Sequence, residues 1–216
     1  MNTLEQMAQA GTLLPADILL FKNGERGLLN FGIRRSQRSA LKDFNTVRGT
    51  SNCLMPDEEL DYFSSFTHAS QVGQADNDDT PFPDFFYEQY APRARVRNLG
   101  EVPAGTTVLI KRLKNTTPDK VKLVLDHWKD VVNRKVPYPV RELVYYYFRW
   151  SCKVWFARKF AKLFKNNKPD HNVCSGEVVY CSQSGGWFKG KPPEMYYPAL
   201  LAYESEFTFK AMEVNV

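Results

Sequence analysis

The sequence predicts an α+β fold in which a small antiparallel sheet packs against helices. Its first half contains short apolar or alternating segments separated by turn residues, a pattern typical of neighbouring antiparallel strands. From Thr117 onward the apolar residues recur at helical spacing instead. We expect one domain over residues 1–216, because that length suits a single compact unit.

The predicted strands follow one another with short connections. Residues 16–21 form an apolar run between Pro15 and Asn23-Gly24, which indicates a buried strand. Further strands are predicted at residues 67–75, 85–90, 94–99 and 106–113, and these would form a meander. Residues 206–216 alternate enough to predict a closing strand.

The segment between the first two strands is the least regular. Residues 26–35 predict a short helix. Residues 36–65 are irregular and polar, and we expect a long loop excursion there.

The second half predicts three helices. Thr117 is a suitable N-cap with Pro118 at the first helical position, and apolar residues follow at helical spacing: Val121, Val124, Leu125, Trp128 and Val132. A second helix is predicted at about residues 139–164, so that residues 117–168 would form a helical insertion. A third helix should begin near Val173 and end by Gly185-Gly186.

The net charge of +5 is unevenly distributed. Between residues 139 and 168 one acid, Glu142, faces eight basic residues: Arg141, Arg149, Lys153, Arg158, Lys159, Lys162, Lys165 and Lys168. The aromatic and basic helix Tyr145–Lys165 fits either a core helix with solvated basic ends or a peripheral membrane contact. The mild net charge gives little reason to expect nucleic-acid binding, and we expect none.

Four cysteines, Cys53, Cys152, Cys174 and Cys181, show neither paired nor zinc-binding spacing, so we expect no disulfide framework and no metal. The glycine-containing turns lack the spacing of phosphate-binding loops, and no cofactor is expected. Residues 1–12 do not resemble a secretory signal. We therefore expect synthesis in the cytoplasm, and activity elsewhere would need another delivery route.

Cys174 is the candidate nucleophile. It follows Pro169-Asp170 and should lie in the first turn of a helix, where the helix dipole favours a thiolate and unpaired backbone N–H groups can stabilise an oxyanion. Such a cysteine can also be a small buried residue.

Three histidines are candidates for its base. His68 begins a predicted strand, which suits a rigidly held base opposite a thiolate. His127 falls within a helix and is expected to be structural or exposed. His171 lies three residues before Cys174 and is the rival base.

Three segments resemble motifs of the permuted NlpC/P60-like hydrolases, a group that includes YiiX-like and lecithin retinol acyltransferase-like proteins. Residues 14–21 (Leu-Pro-Ala-Asp-Ile-Leu-Leu-Phe) resemble the group's Gly-Asp-Ile-Leu-Leu-Phe opening strand. Residues 67–73 (Thr-His-Ala-Ser-Gln-Val-Gly) are similar to its Ser-His-Val-Gly strand. Residues 172–179 (Asn-Val-Cys-Ser-Gly-Glu-Val-Val) are similar to its Asn-Cys-Ser-Glu nucleophile motif, with Val173 inserted. Ala16 stands where a glycine is usual.

The resemblance implies a circularly permuted papain-like fold and a cysteine hydrolase. It implies that His68 is the base, that Cys174 is the nucleophile, and that Glu88, which precedes an Arg-Val-Arg strand, orients the His68 ring. Gln89, Gln74 and Asp76 are rivals for that third position.

The group also suggests a substrate. A peptidoglycan peptide bond is the first expectation, which would suit a phage lysis factor or an antibacterial effector with an immunity or delivery partner and a target-cell periplasm as its place of action. A lipid-directed acyltransferase or deacylase is the alternative enzyme. A non-catalytic binding module of the same fold is the alternative of a different class.

Overall fold

A computed structural model describes residues 3–22, 28–47, 56–75, 82–146, 172–203 and 212–216. The described helices are α1 (Thr3–Gln9), α2 (Leu28–Val47), α3 (Asp57–Ser64), α4 (Pro118–Asn133), α5 (Val140–Tyr146), α6 (Cys174–Ser184) and α7 (Pro198–Tyr203). The described strands are β1 (Ile18–Lys22), β2 (His68–Val72), β3 (Phe85–Tyr90), β4 (Arg93–Asn98), β5 (Thr107–Lys111) and β6 (Met212–Asn215). Among these residues, no helix combines the length and apolarity needed to cross a membrane.

The strands form one antiparallel sheet in the order β4-β3-β2-β1-β5-β6. The first four strands are a meander, and β5 returns to pair with the other side of β1. The predicted α+β fold class, with a small antiparallel sheet and helices, is therefore confirmed.

Both faces of the sheet are covered. On one face, alternate strand residues such as Leu20, Ala69 and Tyr87 pack against helices α2, α3, α4, α6 and α7 in the larger core. On the other face, Leu19, Phe86 and their neighbours pack against α1 and the turn that follows β4. The period of two along each strand produces this division, because successive side chains point to opposite faces.

The prediction of a long loop at residues 36–65 was wrong. Helix α2 extends through Val47, well beyond the short helix predicted at residues 26–35, and α3 follows at Asp57–Ser64. Gln37 explains why the pattern was obscure: it is buried, its side chain donates to the Phe66 carbonyl, and it accepts from the Ala199 backbone N–H. A glutamine here occupies a core position that periodicity analysis assigns to an apolar residue.

The strand predictions were confirmed in place and shifted slightly at their ends. β3 has the predicted bounds, and β2, β4 and β5 lie within one to three residues of theirs. The closing strand is shorter than predicted, at Met212–Asn215, and residues 204–211 lie outside the described residues.

The helix predictions were confirmed where the chain is described. Thr117 caps α4 by accepting from the Lys120 N–H, and α6 begins and ends where expected. The helix predicted at residues 139–164 is present as α5 up to Tyr146. The rest of that prediction, including most of Tyr145–Lys165, lies outside the described residues.

The opening motif contains two local features that anchor β1. Ala16 has φ 66°, in the region that favours glycine, which is the residue usual at this position in the group resembled. Asp17 is buried and accepts two hydrogen bonds from Arg112, at 2.8 and 2.7 Å, and one from the Leu14 N–H. This ion pair ties the start of β1 to the end of β5.

Candidate active site

The candidate site is built on two adjacent strands and the start of a helix. Pairing of β2 with β3 places Ser70 opposite Glu88, and the same register brings Tyr90 beside His68. Side chains directly opposite each other in antiparallel strands share a face, so these groups lie side by side.

Glu88 contacts the His68 ring directly. His68 Nε2 lies 2.8 Å from Glu88 Oε2, within hydrogen-bond distance, and Glu88 is only 1% exposed. The second carboxylate oxygen of Glu88 accepts from Arg95 Nε at 2.6 Å. Burial opposes the ionisation of Glu88, but hydrogen bonds and charges from His68 and Arg95 outweigh it and lower its pKa.

Cys174 is the first residue of α6 and is buried. Its backbone N–H belongs to the first turn, where no carbonyl within the helix can accept from it. The inserted Val173 has an extended backbone and serves as the N-cap, so the helix still begins at the cysteine.

A buried carboxylate fixes the turn before Cys174. Glu177 is fully buried and accepts from the backbone N–H of Asn172 at 3.3 Å and from its side-chain amide at 3.4 Å. Gly176 permits this packing, because an added Cβ would lie 2.9 Å from the Asn172 Cβ. Asn172, two residues before Cys174, is therefore tied to the helix that carries the thiol.

His68 and Cys174 interact electrostatically. Burial alone lowers the pKa of His68, but the charge of Cys174, a hydrogen bond to Cys174 and the contacts with Glu88 raise it to about 9. Since Nε2 faces Glu88, Nδ1 is the ring nitrogen left for Cys174. The interactions with Glu88 and Cys174 therefore favour the protonated His68 ring at neutral pH.

Four further residues, which were not predicted as site residues from the sequence, border the site. Ser70 Oγ lies 3.3 Å from His68 Nε2, and the Tyr90 ring stands edge-on to the His68 ring with centroids 5.5 Å apart. The guanidinium carbon of Arg95 lies 4.4 Å from the centroid of the Tyr90 ring. Burial, and then the negative charges of Cys174 and Glu142, raise the pKa of Tyr138, so its hydroxyl remains a donor near the thiol. The period of two on β2 and β3 would have indicated Ser70 and Tyr90.

The described rivals for the third position lie elsewhere. The Gln89 side chain points to the opposite face and donates to the Pro137 carbonyl at 3.1 Å. Gln74 lines a cavity of about 470 Å³ with Arg112 and Val121, at the other end of β1 from His68. Asp76 and the rival base His171 lie outside the described residues.

The remaining cysteines and histidine have other surroundings. Burial, and then the charge of Glu177, raise the pKa of the fully buried Cys181 well above its ordinary range, which disfavours a thiolate. His127 stands edge-on to Tyr180, and burial lowers its pKa. Cys53 and Cys152 lie outside the described residues.

The sequence matches no protein-family model and no curated protein sequence.

Proposed function

We propose that this protein is a cysteine hydrolase with a circularly permuted papain-like fold of the NlpC/P60 type. The observation that carries the proposal is the position of His68, which contacts Glu88 through Nε2 and whose pKa is raised by Cys174 on a helix start. The order of base before nucleophile along the chain is the order that permutation produces.

In the proposed reaction, His68 holds the proton of the Cys174 thiol, and the thiolate sulfur attacks a substrate carbonyl carbon. The oxyanion accepts a hydrogen bond from the Cys174 backbone N–H. His68 then protonates the leaving amine as the carbon–nitrogen bond breaks, which leaves a thioester. Water attacks the thioester carbonyl, His68 accepts its proton, and the acid and the thiol are released.

Glu88 would act through His68. Its carboxylate fixes the ring so that Nδ1 faces the thiol, and its charge stabilises the imidazolium. Arg95 holds the carboxylate in turn, at its other oxygen.

An amide bond in a peptidoglycan peptide is our proposed substrate, because the group that the sequence resembles is rich in cell-wall hydrolases. An antibacterial effector or a phage lysis factor would meet that substrate in a target-cell periplasm. The lipid-directed alternative depends on the segment Tyr145–Lys165, most of which lies outside the described residues.

The decisive experiment compares wild type with Cys174→Ala on two substrates. Purified peptidoglycan sacculi and phospholipid vesicles are incubated with each protein, and released peptides and fatty acids are measured by mass spectrometry. Release of peptides by wild type alone supports the proposal. Cysteine-dependent release of fatty acid supports the lipid alternative, and release of neither product supports a non-catalytic binding module.

A further inference from the structure

The exposed wall of the candidate site is positively charged. Arg93 pairs directly with Tyr90 across β3 and β4, so His68, Tyr90 and Arg93 form a row across one face of the sheet. Tyr90 is 45% exposed and Arg93 is exposed, whereas His68 is buried. The row therefore leads from the buried base to solvent.

Arg95 adds a second cation beside this row. Two residues along β4 from Arg93, it lies on the same face because side chains alternate. Its side chain is 42% exposed and contacts the Tyr90 ring. Its Nε and Nη2 both face one oxygen of Glu88, so the remaining Nη1 edge of the guanidinium is directed elsewhere.

The acids near this wall are buried. Glu88 is 1% exposed and is already shared by Arg95 and His68, and Glu142, near Tyr138, is 2% exposed. Arg93 has no ion pair with any of the described residues. Arg97, one further step along the same face, differs: its Nε lies 3.4 Å from the Glu101 carboxylate.

We infer that the substrate carries a carboxylate close to the scissile carbonyl, and that Arg93 and Arg95 bind it. This inference rests on the proposed function. Neighbouring strands are about 4.8 Å apart, so the Arg93 backbone lies roughly 10 Å from that of His68. An arginine side chain spans much of that distance, which places the bound carboxylate about one residue from the bond that is cleaved.

Guanidinium groups suit this role. Each presents planar pairs of N–H donors that match a carboxylate, and the Tyr90 ring limits the freedom of Arg95. The substrate class is therefore an acidic peptide, with a side-chain or terminal carboxylate next to the cleaved amide.

The test uses two thiol reagents that differ only in charge: 3-maleimidopropanoic acid and its carboxamide. The rate of each reaction at Cys174 is followed by mass spectrometry in wild type, in Arg93→Gln and in Arg97→Gln. Arg97→Gln removes the same charge from the same face of β4, farther from His68, and so is the matched control. Melting temperatures establish that both variants are folded.

We expect wild type to react about two- to fivefold faster with the acid than with the amide at low salt, as for an exposed ion pair. The ratio of the two rates should fall by about twofold in Arg93→Gln, remain unchanged in Arg97→Gln, and decrease with added salt.

Equal ratios in wild type and Arg93→Gln would overturn the inference while leaving the cysteine hydrolase intact. If Cys174 reacts no faster than the other cysteines with either reagent, both proposals fail. If Arg93→Gln instead lowers cysteine-dependent release of fatty acid from phospholipid vesicles with no change in the ratio, the carboxylate assignment is wrong.

Discussion

Glu88 contacts His68 through Nε2, at 2.8 Å, and thereby leaves Nδ1 as the ring nitrogen available to Cys174. The carboxylate reaches the ring from β3, and Cys174 at the start of α6 also raises the pKa of the ring. Rotation of the His68 ring would break its contact with Glu88.

The first prediction concerns the nucleophile. Cys174→Ala should abolish turnover, because no other group can form the thioester. The fold should persist, with a loss of about 1 kcal/mol in the free energy of unfolding for one small buried side chain. Product release and urea unfolding measure the two effects, and full activity of the folded variant would contradict the cysteine mechanism.

The second prediction ranks the histidines. His68→Ala should lower kcat by about 10²–10⁴-fold, the usual contribution of a general base. His171→Ala should have a mild effect. Steady-state rates on the same substrate decide between them, and the reverse ranking would show that His171 is the base.

The third prediction separates the charge of Glu88 from its shape. Glu88→Gln keeps a polar group beside the His68 ring but removes the negative charge, so we expect a moderate loss of kcat. Glu88→Ala should lose more, because the ring also becomes free to rotate. Wild-type rates in both folded variants would remove Glu88 from the site.

The fourth prediction concerns the titration of His68, observed by NMR of its ring proton. The midpoint should lie near pH 9 in wild type. Because this pKa exceeds the ordinary value of 6.5, the protonated ring stabilises the folded protein fully below pH 6.5, and that stabilisation is lost as the pH rises through about 9.

Cys174→Ala should move this midpoint down, since it removes the charge and the hydrogen bond that raise the pKa while burial remains. Cys181→Ala, in the same helix, is the control and should leave the midpoint near 9. A midpoint unaffected by Cys174→Ala would mean that the two side chains do not interact.

The fifth prediction concerns the ion pair at the start of β1. Asp17→Ala should lower the free energy of unfolding by about 3 kcal/mol, because it removes the buried carboxylate that accepts hydrogen bonds from Arg112 and the Leu14 N–H. Asp57→Ala breaks the exposed ion pair with Arg38 and should change the free energy of unfolding by less than about 1 kcal/mol. Equal effects in urea unfolding would show that burial of the Asp17 pair is unimportant.

The fold was predictable where local chemistry decides it. The alternation in β3 and the Thr117–Pro118 cap of α4 are visible in the sequence, and both elements have nearly their predicted bounds. Residues 36–47 of helix α2 were predicted as loop because a buried polar residue, Gln37, bonds to Phe66 and Ala199, and those partners are distant in sequence.

The individual residues of the candidate site could be predicted from the sequence, but some of the residues that surround them could not. His68, Cys174 and Glu88 were indicated by their local motifs. Tyr138 and Arg93 approach the site only because the chain after α4 runs beside the β3–β4 turn, where Arg93 bridges to Pro137 and the Tyr138 N–H donates to the Pro92 carbonyl. No local pattern indicates such a contact.

The place of α6 in the chain also governs when the site can exist during synthesis. The strand residues His68 and Glu88 leave the ribosome long before Cys174, and α6 must then pack on a sheet whose first five strands precede it. A nascent chain that has completed the meander therefore carries His68 and Glu88 but not Cys174. Under the proposed mechanism, only chains translated through α6 contain the complete site.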